Sequence, residues 1–261
     1  SVVKNYLKEH DNMKGKTLAI SLAAVAASAS ANAAMFEVTW TNHGPQPLSP
    51  LFWSVGNASF DIFTLGGMSS AGIKAIAEGG NVNPMLDIAA AAGGNVQAYG
   101  VLAGGPLMPG LSRSAIIDVN DGDDYFSFAT MLGMTNDGFL GESVSSMGLR
   151  LFGNGTPLGF SVNIYGARAW DAGTEDNTQN AADIGALGGS GNPMEMAGMD
   201  HIRVHESIVQ GRGDSFALLP DWNTDTRLST VTVLPVPEPG SFAILGIGAA
   251  ALLLRRRSRK S

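Results

Sequence analysis

The 261-residue chain contains no cysteine. It therefore has no disulfide framework, no cysteine-ligated zinc site and no thiol nucleophile. Charge is sparse, with Asp, Glu, Lys and Arg at 15% of residues against about 25% in an average domain. That excludes a charged coiled coil and a charge-rich disordered chain. Basic residues are the scarcer sign, 16 against 23 acids. Lys4, Lys8, Lys14 and Lys16 precede residue 34, and Arg255, Arg256, Arg257, Arg259 and Lys260 follow Gly240, leaving seven basic residues between. Every acid except Glu9 and Asp11 lies from residue 34 to Glu238, so this body carries 21 acids and a formal charge near −14. It offers no electrostatic footprint for nucleic acid. Glycine, by contrast, is abundant at 34 residues, about twice the usual share of roughly 7%. With 44% hydrophobic residues, the composition favours short elements joined by tight turns.

Both ends read as addresses. Lys14 and Lys16 precede an apolar run from Leu18 to Ala27, and small residues follow, with Ala31-Asn32-Ala33 as an A-x-A cleavage site. This order of parts is that of a secretory signal peptide, although a buried alanine-rich helix would share the composition. Met13 is the expected start of translation. At the other end Pro235-Val236-Pro237-Glu238-Pro239-Gly240 comes before an apolar or glycine run from Phe242 to Leu254, and the arginine cluster closes the chain. The run is short for a span of about 20 residues, but the arginines can snorkel and stay cytoplasmic. The three parts resemble the PEP-CTERM sorting signal of Gram-negative bacteria. That resemblance implies recognition by an exosortase, transient residence in the inner membrane, removal of the tail, and delivery to the cell surface or extracellular matrix. The expected organisation is an upstream extension and signal peptide over 1–33, one domain over 34–234, and the sorting signal over 235–261.

The body reads as all-β. Phe36 to Thr41 alternates apolar and polar β-formers, as a half-buried strand does. Further strands are predicted over Ser114–Val119, Tyr125–Leu132, Leu158–Ala169, His201–Ser207 and Leu228–Leu234. Ile73, Ile76 and Ala77 form a helical stripe stopped by Gly79-Gly80, and Asn83–Ala92 opens with Pro84 as a second short helix. Strands in series with one or two short helices predict an antiparallel β-sandwich.

The densest polar signal is Trp170-Asp171-Ala172-Gly173-Thr174-Glu175-Asp176-Asn177. A strand delivers Asp171 into a glycine turn that gathers oxygen ligands of the kind Ca²⁺ requires. The same residues also suit a polar surface turn. Asp118 to Asp124 fails the EF-hand template, with glycine one position early and Ala129 where Glu belongs, and is expected to be a turn. His201 and His205 on a strand lie about 13 Å apart, too far for one metal. Arg212-Gly213-Asp214 is expected to be coincidental. Trp40, Trp53, Trp170 and Trp222 are expected in the core, with Trp170 the best candidate for a site wall. No nucleophile–base arrangement is evident.

Several segments in order resemble the spondin N-terminal domain family of F-spondin and mindin: FEVTWTN with Leu48-Ser49-Pro50, SAGIKAIAEGGN, Pro109-Gly110 with Ser112, FSFATMLGMTNDGFLG, and DAGTE followed by Asn177. The resemblance covers roughly Phe36 to Val233. It implies a C2-like β-sandwich with one bound Ca²⁺ and assigns Asp137, Asp171 and Glu175 as its metal ligands. Met134 stands where the family usually has proline, and the cysteines of the animal members are missing. The implied role is a non-enzymatic, calcium-binding adhesion or structural module, meeting exopolysaccharide or a matrix protein. The alternative is a secreted, glycosidase-like hydrolase of that polysaccharide.

Overall fold

Alternation decides the first strand. Phe36, Val38 and Trp40 are fully buried while Glu37 between them is exposed, so one face of the strand enters a core and the other meets solvent. In the computed structural model, which describes residues 33–120, 122, 124–178, 180–190, 201–208 and 221–237, this strand runs Ala33–Asn42 (β1). It is followed by Leu51–Gly56 (β2), helices Ala71–Gly79 (α1) and Asn83–Ala91 (α2), and strands Val96–Leu102 (β3), Ser112–Asn120 (β4), Tyr125–Met131 (β5) and Gly138–Glu142 (β6). Then come Leu149–Arg150 (β7), Phe152–Gly153 (β8), Thr156–Pro157 (β9), Phe160–Tyr165 (β10), Ala169–Asp171 (β11), Arg203–Val204 (β12) and Arg227–Val236 (β13). All described residues belong to one compact unit that begins at Ala33.

The architecture is an all-β antiparallel sandwich. One sheet has the order β10-β13-β1-β4, and the other β12-β11-β6-β5-β2-β3, with β7 also pairing β5. The inner faces meet in a core that includes Phe36, Trp40, Val231 and Ile117 from the first sheet and Leu51, Val55, Phe126 and Leu140 from the second. The second sheet is covered on its other face as well. There Phe52, Phe139 and Trp170 pack with Ile73, Ile76, Ala77 and Met85 of α1 and α2. Burial on both faces removes the alternation that marks a half-buried strand. β2 and β6 therefore escape a periodicity search, and both lie outside the strands predicted from sequence.

The helices form where expected. Ser70 caps α1 by accepting from the Ile73 amide, and the Gly80 amide closes its end on Ala75 and Ile76; α2 carries proline in its first turn. Two predicted strands need correction. The run from Leu158 to Ala169 is not one strand. β10 ends at Tyr165, a 3₁₀ turn spans Gly166–Arg168, and β11 resumes in the other sheet. Gly166 allows the switch, because a Cβ there would fall 2.0 Å from the Asn223 carbonyl oxygen. The run from His201 to Ser207 is strand only at Arg203–Val204, since Ser207 takes a positive φ of 75°.

The segment before Ala33, the apolar run with its basic tail beyond residue 241, and Arg212-Gly213-Asp214 lie outside the described residues. Among the described residues no helix is long and apolar enough to cross a membrane.

Candidate functional site

The β5–β6 connection places Asp137 just ahead of β6. Its turn is tied by Thr135, whose hydroxyl donates to the Leu132 carbonyl at 2.7 Å and accepts from the Gly138 amide at 3.0 Å. β11 pairs with β6 so that Asp171 stands opposite Gly138, and with β12 so that Asp171 also stands opposite Arg203. Pairing alone thus brings Asp137, Asp171 and Arg203 to one end of the second sheet.

The DAGTE turn then wraps the Asp137 carboxylate. Gly173 takes a positive φ of 72°, a conformation glycine adopts without a Cβ penalty, and its amide donates back to Asp171 Oδ1 at 2.7 Å. The next two amides, of Thr174 and Glu175, donate to Asp137 Oδ2 at 2.7 and 3.0 Å. The other Asp137 oxygen, Oδ1, is buried and has no hydrogen-bond partner among the described residues. Asp171 Oδ2 accepts from Arg203 Nη2 at 2.8 Å and from the Asn177 amide group.

Both aspartates are essentially excluded from solvent, 0% and 1% exposed. Burial raises the Asp137 carboxyl above its usual range, against the pull of the Thr174 and Glu175 amides and the Arg203 charge. Asp171 is pushed up to about 6, first by burial and second by the Asp137 charge, with Arg203, the Gly173 amide and Asn177 acting the other way. Two adjacent buried carboxyls thus share the field of one guanidinium. Beside them, Asp176, Asn177, Arg203 and Glu206 line a cleft of about 330 Å³ that Asp171 borders.

The structure brings Asp137 and Asp171 together. Glu175 joins them through its backbone amide, and its own residue is largely buried. Among the described residues no three His, Asp or Glu side chains converge as a ready-made metal cage. A hard cation here would need backbone carbonyls and water to complete its shell, as oxygen-liganded sites often do.

Trp170 does not wall this site. Successive side chains on a strand point to opposite faces, and Trp170 packs in the helix-covered core with its Nε1 donating to the Gly141 carbonyl at 2.8 Å. Trp40 and Trp222 are core residues and Trp53 packs against the core half-buried. Of the run Asp118–Asp124, Asp118, Val119 and Asn120 belong to β4 and Asp124 directly precedes β5, with Gln97 donating to the Asn120 carbonyl at 3.1 Å and to Asp124; Asp121 and Asp123 lie outside the described residues. The two histidines diverge: His201 is exposed, while His205 is 2% exposed. The His205 ring lies 5.2 Å from that of Trp222 and its Nδ1 accepts from the Ser207 amide at 3.0 Å. Burial, and then the Arg203 charge, lower it to about 4.

Arg203 is the site residue that sequence reasoning missed. Its visible signal was being a basic residue between two histidines in a body almost without cations. A second missed feature is the ion pair of Glu142 and Arg168, in which Arg168 Nε donates to Oε1 at 2.6 Å and Nη2 to Oε2. Glu142 is fully buried inside β6.

Compared with protein families, residues 235–257 match the PEP-CTERM protein-sorting motif. The motif marks the chain as an exported, surface-directed protein sorted by an exosortase. Its first residues are already part of the fold, because β13 extends to Val236, which pairs with Met35 of β1. No curated protein matches the chain.

Proposed function

We propose that this protein is a non-catalytic, spondin-like module of the bacterial cell surface or extracellular matrix whose second sheet binds Ca²⁺ at the Asp137–Asp171 end. The sorting motif supports the location. One observation carries the metal reading: two adjacent, buried carboxyls meet with Asp137 Oδ1 left without a partner. An orphaned buried carboxylate oxygen carries a full desolvation cost. A divalent cation would satisfy that oxygen and offset the burial cost and the Asp137 repulsion that together raise Asp171. The donors available are all oxygen, which suits a hard cation.

Asp137 and Asp171 would hold the ion directly, and Glu175 would stand beside them on the same turn. The ion supplies positive charge that ties the β5–β6 turn to the DAGTE turn. The protein's own residues do the rest: Gly173 folds the chain back, the Thr174 and Glu175 amides fix the Asp137 carboxylate, and Arg203 holds Asp171 toward the cleft. In this role calcium stiffens one end of a sandwich that, elsewhere on its surface, meets exopolysaccharide or a matrix protein. The affinity expected of an extracellular module lies around 10⁻⁴–10⁻³ M.

Calorimetric titration and thermal melting with calcium test this reading. A ligand that binds only the folded state at 100 times its Kd adds about 2.7 kcal/mol. We expect a calcium-dependent rise in Tm that Asp137→Asn and Asp171→Asn each abolish. Unchanged melting and no heat at millimolar calcium would leave the pair as a purely structural feature of the turn.

A further inference from the structure

We propose that the outer face of the β10-β13-β1-β4 sheet is a binding surface for a neutral polysaccharide. It deepens the matrix-association reading above, since it names the partner class and the surface, but it is independent of the calcium site.

The surface is a registered array. In the first sheet most inward positions are apolar, Asn42, Ser229 and Arg113 excepted, and the outward positions align across all four strands. Thr41 of β1 pairs in register with Ser112 of β4 and with Thr230 of β13, which pairs with Asn163 of β10. Two residues along, Thr39 aligns with Ser114 and Thr232, and Thr232 aligns with Ser161. Each strand therefore contributes a pair of hydroxyl or amide side chains, separated by a buried residue on β1, β10 and β13 and by half-buried Arg113 on β4. Neighbouring strands lie about 4.8 Å apart and alternate residues about 6.8 Å apart, so the two rows form a grid roughly 14 Å across.

The hydroxyls are held in place but not used up. Thr39 and Ser114, Thr41 and Ser112, and Ser161 and Thr232 are hydrogen-bonded pairs at 2.8 Å, while Thr230 donates to Asn163 Oδ1 at 2.8 Å and also bonds His43 Nε2 at 2.9 Å. A hydroxyl has one donor and two acceptor sites. Each hydroxyl pair thus keeps one O–H and several lone pairs for a partner. Threonine χ1 is stiff and the backbone is fixed in the sheet, so little entropy is lost on binding.

Charge selects the class of partner. The two rows contain no ionised side chain, and the body as a whole is near −14. An anionic polymer would find no cation within the two rows, where the nearest is Arg227 at the edge beside Tyr165 and His43, and would meet the negative charge of the body as a whole. A neutral chain of hydroxyls exchanges hydrogen bonds with water for hydrogen bonds with the grid. Tyr165, 42% exposed at the end of β10, adds an aromatic ring at one edge for a sugar face. Sheet twist excludes a crystalline partner. Adjacent strands rotate by about 20–25°, so the grid is a twisted band that a flexible chain can follow and a flat lattice such as ice cannot.

The test is affinity electrophoresis and calorimetry of the intact protein with dextran, galactomannan and xyloglucan, with alginate as the anionic comparison. At least one neutral polymer should retard and saturate the protein while alginate does not. The variant T39V/T41V/T230V/T232V keeps shape and β-propensity, so its melting should be unchanged and its binding at least tenfold weaker. T230V/T232V alone serves if the fourfold variant does not fold, and should weaken binding at least threefold. Absence of retardation by every neutral polymer, equal retention of the valine variants, or stronger retention by alginate overturns the proposal. So does thermal hysteresis of ice growth that the valine variants lose, which would make ordered water the partner. Asp171→Asn should leave polysaccharide binding intact. Loss of the calcium response alone overturns only the calcium reading, and loss of the grid's effect alone overturns only this one.

Discussion

Asp137 and Asp171 sit on adjacent strand ends, both buried, and the Asp137 charge is one of the two causes that hold the Asp171 carboxyl up at about 6. Arg203 lies against Asp171 at 2.8 Å, yet it does not reverse the shift, because burial and a like charge outweigh one half-exposed guanidinium. The pair is therefore a source of strain, which the proposed cation would relieve.

The first consequence concerns pH in the absence of calcium. Asp171 binds its proton more tightly in the folded state, so its contribution makes the fold less stable as pH rises from 3.8 to about 6. His205 acts in the opposite sense. Its folded value of about 4 lies below the ordinary 6.5, so the unfolded chain takes up the proton first and stability rises with pH across that window. The two effects, each on the order of 3 kcal/mol, oppose one another, and Asp137, which burial also raises, adds to the Asp171 sense. Asp171→Asn removes part of that side. Its unfolding free energy, followed by denaturant titration, should gain on that of the parent as pH rises from about 4 to about 6.5.

Calcium stabilisation should itself depend on pH. A proton on Asp171 competes with the cation, so the rise in Tm at fixed millimolar calcium should be larger at pH 7.5 than at pH 5. Calorimetry in buffers of different ionisation enthalpy should show proton release on calcium binding near pH 6. A calcium response of equal size at both pH values would separate the metal from Asp171.

The Glu142–Arg168 pair predicts a sharp asymmetry. Arg168→Ala leaves a fully buried carboxylate with Ser146, which donates at 2.7 Å, as its remaining partner on that oxygen. A broken buried pair costs about 3–5 kcal/mol, whereas replacing both members by apolar residues is often near neutral. Arg168→Ala should therefore be clearly less stable than the double variant E142L/R168M in chemical unfolding. Arg168 also lies over the Trp170 ring at 5.6 Å, so tryptophan fluorescence should report the loss directly.

Gly166→Ala tests the strand switch. The added Cβ would meet the Asn223 oxygen at 2.0 Å and the Trp222 ring at 3.0 Å. Backbone cannot rotate out of the way as a side chain can, so the cost should exceed about 2 kcal/mol. A fall in Tm, with a change in the near-ultraviolet signal of Trp222, is the expected readout.

The sequence by itself determined the half-buried strands β1, β4 and β13, because one solvated face prints an alternating pattern, and it determined α1 through its stripe and its glycine stop. It also determined the sorting motif, a linear signal that needs no fold, and it located the aspartate-rich turn through local composition. Only the tertiary structure decided the rest. β2 and β6 are covered on both faces, so their residues do not alternate between buried and exposed. The switch from β10 to β11 depends on the approach of Asn223, which no local rule contains. The meeting of Asp137, Asp171 and Arg203 comes from strand pairing between distant segments, and their raised carboxyls from the burial that pairing imposes. The hydroxyl grid is of the same kind. Each strand carries a commonplace alternation of serine or threonine, and only register across four strands turns these into a surface.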